Sequence, residues 1–154
     1  EAEAYVCLLQ ETPQIPAWVS FTARDGRHIS DGAPIIEVAA LLNGAPNVTA
    51  IGVNCTPPRL MPELITAVQA VTHKHILVYP NSGERYDVVN RAWRGDSEPS
   101  AFGTMSREWR KMGAVMIGGC CRTRPSHIRQ IRDRVRWGDM DTRMTWIPDA
   151  TAEN

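Results

Sequence analysis

Residues 113–123 read GAVMIGGCCRT, an apolar run that ends in two glycines and two adjacent cysteines. Residues 114–117 have the length and composition of a buried β-strand, and Gly113 in front of them is a typical helix stop. Cys120 and Cys121 follow this strand almost at once. The stretch therefore predicts two cysteines at the carboxyl end of a strand, just before the next helix.

The same strand-then-helix pattern recurs three times upstream. Apolar runs predict strands at residues 17–21, 48–53 and 75–79, and apolar side chains at helical spacing follow each strand. Strands that alternate with helices imply parallel pairing and right-handed crossovers, so the sequence predicts an α/β fold. The helical positions are Ile35, Val38, Leu41 and Leu42, then Leu60, Leu64, Ile65, Val68 and Val71, then Phe102, Met105, Trp109 and Met112, and finally Ile128, Ile131 and Val135.

Short polar residues mark the expected starts of two of these helices. Ser30 and Asp31 offer caps for the helix after the first strand, and Thr123 offers one for the helix after the cysteines. Asp25 and Asp31 flank a turn, and capping explains both of them.

Two segments do not follow the strand-then-helix pattern. Residues 1–10 predict a helix with no strand ahead of it, on which Cys7 is expected to be a core residue. Residues 81–99 form an irregular connection much longer than the about 2–6 residues typical of such loops. A functional loop and a flexible insertion both explain that length. Trp93 in this connection and Trp109 after it are expected to pack in the loop and in the core.

Composition limits the kinds of partner. The 154 residues fit one domain, and 17 basic side chains balance 17 acidic ones, which argues against a nucleic-acid partner. No apolar run is long enough to span a bilayer and no signal peptide is evident, so we expect a cytoplasmic protein with no membrane partner. Residues 1–137 form the expected domain, and residues 138–154 form a polar tail.

Three of the four cysteines are predicted to meet. Cys55 ends the second predicted strand, whereas Cys120 and Cys121 end the fourth. Alternate strands of a barrel contribute inward side chains to the same layer, so these strand ends can converge. Three thiolates suit a zinc ion that keeps its fourth position open for a substrate thiol. From spacing alone, three buried free cysteines remain the other open interpretation, and a pair of adjacent cysteines is by itself a weak signal.

These segments resemble the zinc-dependent homocysteine S-methyltransferase family. The similarity lies in residues 113–123, with the proline, histidine and isoleucine at positions 125, 127 and 128, and in the second cysteine segment, residues 51–55 (IGVNC). Residues 19–22 and 78–84 resemble the strands between, and the latter (VYPNSGE) is similar to the branch that uses S-methylmethionine. Arg124 departs from the smaller residue expected there.

The resemblance implies a (β/α)8 barrel, of which this chain would hold strands five to eight. It implies Zn2+ bound by Cys55, Cys120 and Cys121, with no catalytic residue beyond these ligands. The implied reaction transfers a methyl group from a sulfonium donor, S-methylmethionine or S-adenosylmethionine, to homocysteine and yields methionine. Selenocysteine or another thiol or selenol acceptor on the same zinc site, and an inactive zinc-binding fragment, are the alternatives. The open edges of a half-barrel also predict self-association.

The neighbours of the three cysteines carry further expectations. Asn54 either orients the cluster or touches substrate, or it makes a hydrogen bond at the strand end. Gly118 and Gly119 are expected to let the backbone leave strand geometry, so that both adjacent thiols reach one metal. Arg122 adds positive charge, and His127 is expected to be exposed rather than a fourth ligand.

Overall fold

A computed structural model of the chain describes residues 2–95 and 97–135, so the polar tail predicted at 138–154 lies outside the described residues. Helices and strands alternate along most of this length. The helices are α1 (Ala2–Gln10), α2 (Ile35–Asn43), α3 (Met61–Gln69), α4 (Pro99–Lys111) and α5 (Pro125–Arg134), with a 3-10 turn at Pro58–Leu60. The strands are β1 (Ala17–Phe21), β2 (Val48–Asn54), β3 (His75–Tyr79), β4 (Arg85–Asp87), β5 (Ala92–Arg94) and β6 (Ala114–Ile117).

Four of the strands form one parallel sheet in the order β1-β2-β3-β6. Each strand therefore pairs with the next one in the chain, apart from the small hairpin that interrupts the series. This confirms the predicted α/β fold with a parallel sheet. All four strand positions agree with the sequence prediction, and β2 extends one residue further, to Asn54. The closed barrel, and the place of these strands as its fifth to eighth, stay predictions.

The core lies between one face of the sheet and the helices. Side chains alternate between the faces of a strand, and Val19, Phe21, Ile51 and Val53 are among the buried residues of the helix-covered face. On the opposite face of β1, Trp18 is 59% exposed. Within residues 2–95 and 97–135, no helix is both long and apolar enough to cross a membrane.

The long connection between β3 and α4 is partly ordered, in contrast to the prediction of an irregular stretch. Its strands β4 and β5 pair antiparallel as a hairpin, separate from the main sheet. Tyr86 and Trp93 pack against each other across it, with ring centroids 5.4 Å apart. The sequence did not predict this hairpin because both strands have three residues and lack an apolar run. Trp93 is 47% exposed, whereas Trp109 is 1% exposed and packs in the core as predicted.

Helix α2 begins later than its predicted caps. Pro34 occupies the N-cap position, and its side chain makes no capping bond. Ser30 donates instead to the Thr22 carbonyl, and Asp31 accepts the N–H of Ala33, so both stabilise the turn in front of the helix. Both capping predictions are therefore wrong, because the chain completes this turn before the helix starts.

The prediction that Cys7 is a core residue is also wrong, because its side chain is exposed. Helix α1 packs through Val6 and Leu9. Successive helix residues are rotated by about 100°, so Cys7 points away from the core when its neighbour points inward. The same geometry separates Leu41, which is 41% exposed, from the fully buried Leu42.

Helices α4 and α5 pack closely against each other. Gly103 on α4 permits the approach, since a Cβ there would lie 2.7 Å from the Gln130 Cβ on α5. Phe102 makes edge-to-face contacts with Trp109 and with His127, at centroid distances of 5.4 and 5.3 Å. The residues between β6 and α5 are therefore held between two rigid elements.

Candidate metal centre

Three thiols meet where β2 and β6 end. The Sγ atom of Cys121 lies 3.2 Å from that of Cys55 and 4.0 Å from that of Cys120. All three sulfurs lie within 4.8 Å of one another, and this is the one group of three potential ligand residues found among residues 2–95 and 97–135. The structure thus brings together the three cysteines singled out in the sequence.

The donor set fits a thiolate-binding metal ion. Thiolates about 2.3 Å from a tetrahedral zinc ion are about 3.8 Å from one another, a spacing that lies within the observed range. Cys55 and Cys120 are half-buried and Cys121 is exposed, so an external ligand can reach the cluster. The arrangement could therefore hold a metal ion through three protein ligands and leave one position accessible.

Cys55 is placed by an unusual backbone conformation. Its φ angle is 48°, in the left-handed region, which costs a residue with a side chain roughly 1–2 kcal/mol. Two hydrogen bonds hold it there. The Cys55 N–H donates to the Tyr79 carbonyl at 3.0 Å, and the Asn81 side-chain amide donates to the Cys55 carbonyl at 3.2 Å. The turn directs the chain out of β2 immediately after Asn54.

The Cys120–Cys121 pair lies outside the strand, as predicted, because β6 ends at Ile117. Gly118 and Gly119 were expected to let the backbone adopt angles that other residues avoid, but neither of them has a positive φ angle. Gly119 is needed instead for a close approach: a Cβ there would lie 2.5 Å from the Thr123 Oγ1.

In the turn that follows the paired cysteines, Arg122 adopts the left-handed conformation, with a φ angle of 63°. It follows Cys121 directly and turns the chain towards α5. Thr123 then donates from its hydroxyl to the Cys120 carbonyl at 2.7 Å. The N-cap of α5 is Arg124, so the prediction that Thr123 caps this helix is wrong. The Thr123 hydroxyl serves the cysteine turn instead.

A loop of five residues, 80–84, connects the two cysteine segments. Pro80 accepts the N–H of Cys120 at 2.8 Å, and the N–H of Ser82 donates to the Cys121 carbonyl at 3.1 Å. The side chain of Asn81 meanwhile contacts the Cys55 carbonyl. The resemblance of residues 78–84 to a known family did not predict any contact between these residues and the cysteine segments. Their position directly after β3, the strand between the cysteine-bearing strands, was the available signal.

Glu84 and Arg122 form an ion pair beside the cluster. The Arg122 guanidinium donates twice to the carboxylate, at 2.8 and 3.0 Å, and the Ser82 hydroxyl donates to it at 2.9 Å. The bonds from Arg122 and Ser82 lower the pKa of Glu84 to about 2, and the bond to Glu84 raises the pKa of Arg122. The positive charge expected near the thiols is therefore present, and a carboxylate neutralises it.

His127 is buried rather than exposed, which corrects the prediction for this residue. Its Nδ1 accepts the N–H of Arg124 at 3.0 Å, and its Nε2 lies 2.9 Å from the Ser97 carbonyl. Because α5 begins at Pro125, His127 is the third helical residue, and its ring folds back over the start of the helix. Both ring nitrogens therefore contact backbone groups, and the expectation that His127 is not a fourth ligand stays a prediction.

Asn54 makes a hydrogen bond at the strand end. Its side-chain amide donates to the Thr22 hydroxyl at 3.4 Å, which links the tips of β2 and β1. A role in substrate binding stays a prediction.

In the loop after β1, the Asp25 carboxylate accepts the N–H groups of Arg27 and His28. These bonds lower the pKa of Asp25 to about 2, and the bond from Arg27 has the largest effect.

The fold and the site together define an α/β protein with a three-thiol cluster suited to a metal ion. The family model for homocysteine S-methyltransferase matches residues 1–135. The chain belongs to the homocysteine S-methyltransferase family.

Curated relatives agree with this assignment. The chain is 47% identical over 131 residues to the homocysteine S-methyltransferase YbgG of Bacillus subtilis and 50% identical over 134 residues to homocysteine S-methyltransferase 2 of Zea mays. It is 42% identical over 134 residues to the selenocysteine methyltransferase of Astragalus bisulcatus. Each match covers 85% of this chain and 40–42% of the relative. The chain thus spans about two fifths of the length of these relatives.

Crystal structures of the homocysteine methyltransferase MmuM from Escherichia coli have the same fold over the shared region. The oxidized form matches with a TM-score of 0.72 and 37% identity, over 86% of this chain and 41% of that chain. The metallated form matches with a TM-score of 0.69 and 35% identity, over 86% and 40% of the two chains.

Proposed function

We propose that this chain is the metal-binding part of an enzyme that methylates homocysteine. The enzyme transfers a methyl group from a sulfonium donor to the homocysteine sulfur. The products are methionine and a neutral thioether, and the thiol loses its proton. The observation that carries the proposal is the convergence of Cys55, Cys120 and Cys121 within 4.8 Å.

Zinc is the proposed metal, with Cys55, Cys120 and Cys121 as its three protein ligands. Thiolates favour zinc over harder cations such as magnesium and calcium. A bound zinc ion would act as a Lewis acid and lower the pKa of a thiol at its fourth position, so that the thiol reacts as a thiolate at neutral pH. The partial exposure of the three cysteines supports access for such a thiol.

The residues around the three cysteines hold these ligands in a fixed arrangement. The tips of β2 and β6 carry the ligands, and the loop after β3 holds both segments through backbone hydrogen bonds. A fixed arrangement matters because aligned reacting groups reach effective molarities of about 10⁵ M or more. Asn54, one residue before a ligand, is the proposed contact for substrate.

The donor is proposed to be S-methylmethionine or S-adenosylmethionine. The resemblance of residues 78–84 to the S-methylmethionine-using branch supports the former. A sulfonium methyl group is already activated for transfer, so the reaction requires no redox cofactor.

A second candidate is methylation of selenocysteine or another thiol or selenol acceptor on the same zinc site. The 42% identity to a selenocysteine methyltransferase supports it. A third candidate is a zinc-binding segment without activity of its own, which is supported by the two-fifths coverage of the relatives.

The test is a set of methyl-transfer assays on the complete gene product that contains this sequence. Homocysteine is offered with S-methylmethionine, S-adenosylmethionine, betaine or methylfolate, and selenocysteine then replaces homocysteine. We expect methionine with a sulfonium donor and none after Cys120→Ala. Methionine formation that survives Cys120→Ala would contradict the proposed site. Clearly faster turnover with selenocysteine would favour the second candidate.

A further inference from the structure

We propose that Arg122 is a positioning residue that fixes Cys121 for metal binding, and that Glu84 and Trp93 hold Arg122 in place. This inference rests on the proposed function, because it assigns these three side chains to the same metal site. They are called the arginine clamp below.

The backbone of Arg122 gives the first reason. Arg122 follows Cys121 directly and has a φ angle of 63°, a conformation that costs a residue with a side chain roughly 1–2 kcal/mol. Such a conformation persists only when surrounding contacts enforce it. In this turn it sets the direction of the chain just after the thiol, and therefore where the Cys121 side chain points.

The side chain of Arg122 supplies those contacts. Its guanidinium makes two hydrogen bonds to the Glu84 carboxylate. It also stacks on Trp93, with its central carbon 4.4 Å from the ring centroid, well within the about 6 Å range of a cation–π contact. The Arg122 side chain is 32% exposed and that of Glu84 is 12% exposed. A fork-to-fork pair of this kind fixes both position and orientation.

These contacts close into a ring that returns to Cys121. The Glu84 carboxylate accepts the Ser82 hydroxyl at 2.9 Å. The N–H of Ser82 donates to the Cys121 carbonyl at 3.1 Å, and Cys121 is covalently joined to Arg122. Movement of the guanidinium would therefore disturb Cys121 through two routes, its peptide bond to Arg122 and its hydrogen bond to Ser82.

The hairpin β4–β5 explains how the clamp is assembled. Glu84 immediately precedes β4 and lies two residues before Tyr86, the residue that pairs with Trp93 of β5, so Glu84 and Trp93 lie on the same face of the hairpin. Tyr86 supports Trp93 from the opposite strand. The long connection between β3 and α4 thus supplies both partners of Arg122, Glu84 and Trp93, beside the thiol cluster.

The clamp should affect metal affinity, because groups that orient ligands typically change it about 10–100-fold when removed. Two variants separate geometry from charge. Arg122→Lys keeps the positive charge beside the thiols but loses the pair of parallel hydrogen bonds to Glu84, since a lysine ammonium cannot make the planar bidentate contact. Glu84→Gln keeps the shape of the side chain and removes its charge. Arg122→Gly removes the side chain at a backbone angle that glycine adopts without strain.

The matched control is Arg94→Gln. It removes a hydrogen-bonded ion pair of the same hairpin, in which the Arg94 Nε lies 2.9 Å from an Asp87 carboxylate oxygen, and neither residue is among the partners of Cys121 or Arg122 named above. The measurement is zinc affinity of the complete gene product that contains this sequence, by competition with a chromophoric chelator. Cobalt(II) is then substituted, and its thiolate charge-transfer absorption reports ligand geometry. Thermal unfolding of the metal-free variants checks the fold.

We expect Arg122→Lys, Glu84→Gln and Arg122→Gly each to bind zinc about 10-fold more weakly than Arg94→Gln. Their cobalt spectra should change while their metal-free melting temperatures match that of the control. Wild-type affinity and an unchanged cobalt spectrum in Arg122→Lys would overturn the clamp, since charge alone would then suffice. Wild-type affinity in Arg122→Gly would overturn it as well. Absence of zinc binding by the wild-type chain would overturn the proposed function, and the clamp with it.

Discussion

Cys55 and Cys121 are separated by 66 positions in the sequence, yet their Sγ atoms lie 3.2 Å apart. The sheet causes this proximity. Cys55 follows β2 and Cys121 follows β6, and β3 lies between these strands with all three parallel. The carboxyl ends of the strands therefore meet at one edge of the sheet. The loop after β3 fills the gap and contacts both cysteine segments.

The first prediction concerns metal content. We expect one zinc ion per chain under reducing conditions, and loss of that zinc in each of Cys55→Ala, Cys120→Ala and Cys121→Ala. Each change removes one of three thiolate ligands and leaves a site with too few soft donors. Elemental analysis of the purified proteins measures this directly. Full zinc retention in the Cys120→Ala protein would disprove the ligand set.

The second prediction uses the fourth cysteine as the matched control. Cys7→Ser should leave zinc content unchanged, because Cys7 is exposed on α1 and lies outside the group of potential ligands. The same elemental analysis applies. Large zinc loss from a Cys7→Ser protein that remains folded would show that the ligands have been assigned to the wrong cysteines.

The sequence predicted the main sheet because each of its strands is an apolar run bounded by breakers. It also predicted that the three cysteines converge, because both cysteine segments follow such runs. The hairpin was not predicted, since its strands, Arg85–Asp87 and Ala92–Arg94, have no apolar pattern. The left-handed conformation of Arg122 was also beyond sequence reasoning. It depends on contacts with Glu84 and Trp93, which are distant in the sequence.

Single-residue burial was harder to predict than the elements themselves. Cys7 and His127 were assigned opposite to their actual environments. In both cases the element was right and the face of the helix was wrong. Successive helix residues differ in direction by about 100°, so an error of one position in the predicted apolar stripe exchanges a buried residue for an exposed one, as His127 and Ile128 show.

The third prediction tests the structural role of His127. His127→Ala should lower the free energy of unfolding by roughly 1–3 kcal/mol, because it leaves the Arg124 N–H and the Ser97 carbonyl without a buried partner. Zinc content should not change. Chemical denaturation measures the stability, with His73→Ala as the control because His73 is exposed. Zinc loss without destabilisation would show that His127 acts at the metal after all.

The fourth prediction concerns pH. Hydrogen bonds from Arg27, which has the largest effect, and from His28 lower the pKa of Asp25 from 3.8 to about 2. A carboxylate with a lowered pKa stabilises the folded state above its ordinary pKa, and this contribution disappears as the pH falls through the folded value. Carbon-detected NMR titration should therefore give a midpoint near 2 for Asp25. The stability difference between the wild type and Asp25→Asn should shrink between about pH 4 and pH 2. A midpoint near 4 would contradict the turn geometry.

The last prediction concerns the activity and assembly of the 154-residue chain alone. The chain spans about two fifths of its relatives, and its sheet has two edge strands, β1 and β6. Unpaired edges and exposed apolar surface favour association, and Trp18 on the face away from the helices is 59% exposed. We expect this chain to self-associate, and a symmetric dimer of half-barrels is one form this could take.

Methyl transfer by this chain should be far below that of a full-length relative such as the Bacillus subtilis protein. We expect the thiol of homocysteine to reach the three cysteines, but its amino and carboxylate groups also need partners. We expect those partners in the part of the relatives that this chain does not cover. A substrate bound without orientation loses much of the rate enhancement that alignment provides. Light scattering of residues 1–154 and methionine assays beside the relative test both expectations. A monodisperse monomer with comparable turnover would refute them, because the whole substrate pocket would then have to be formed by this chain.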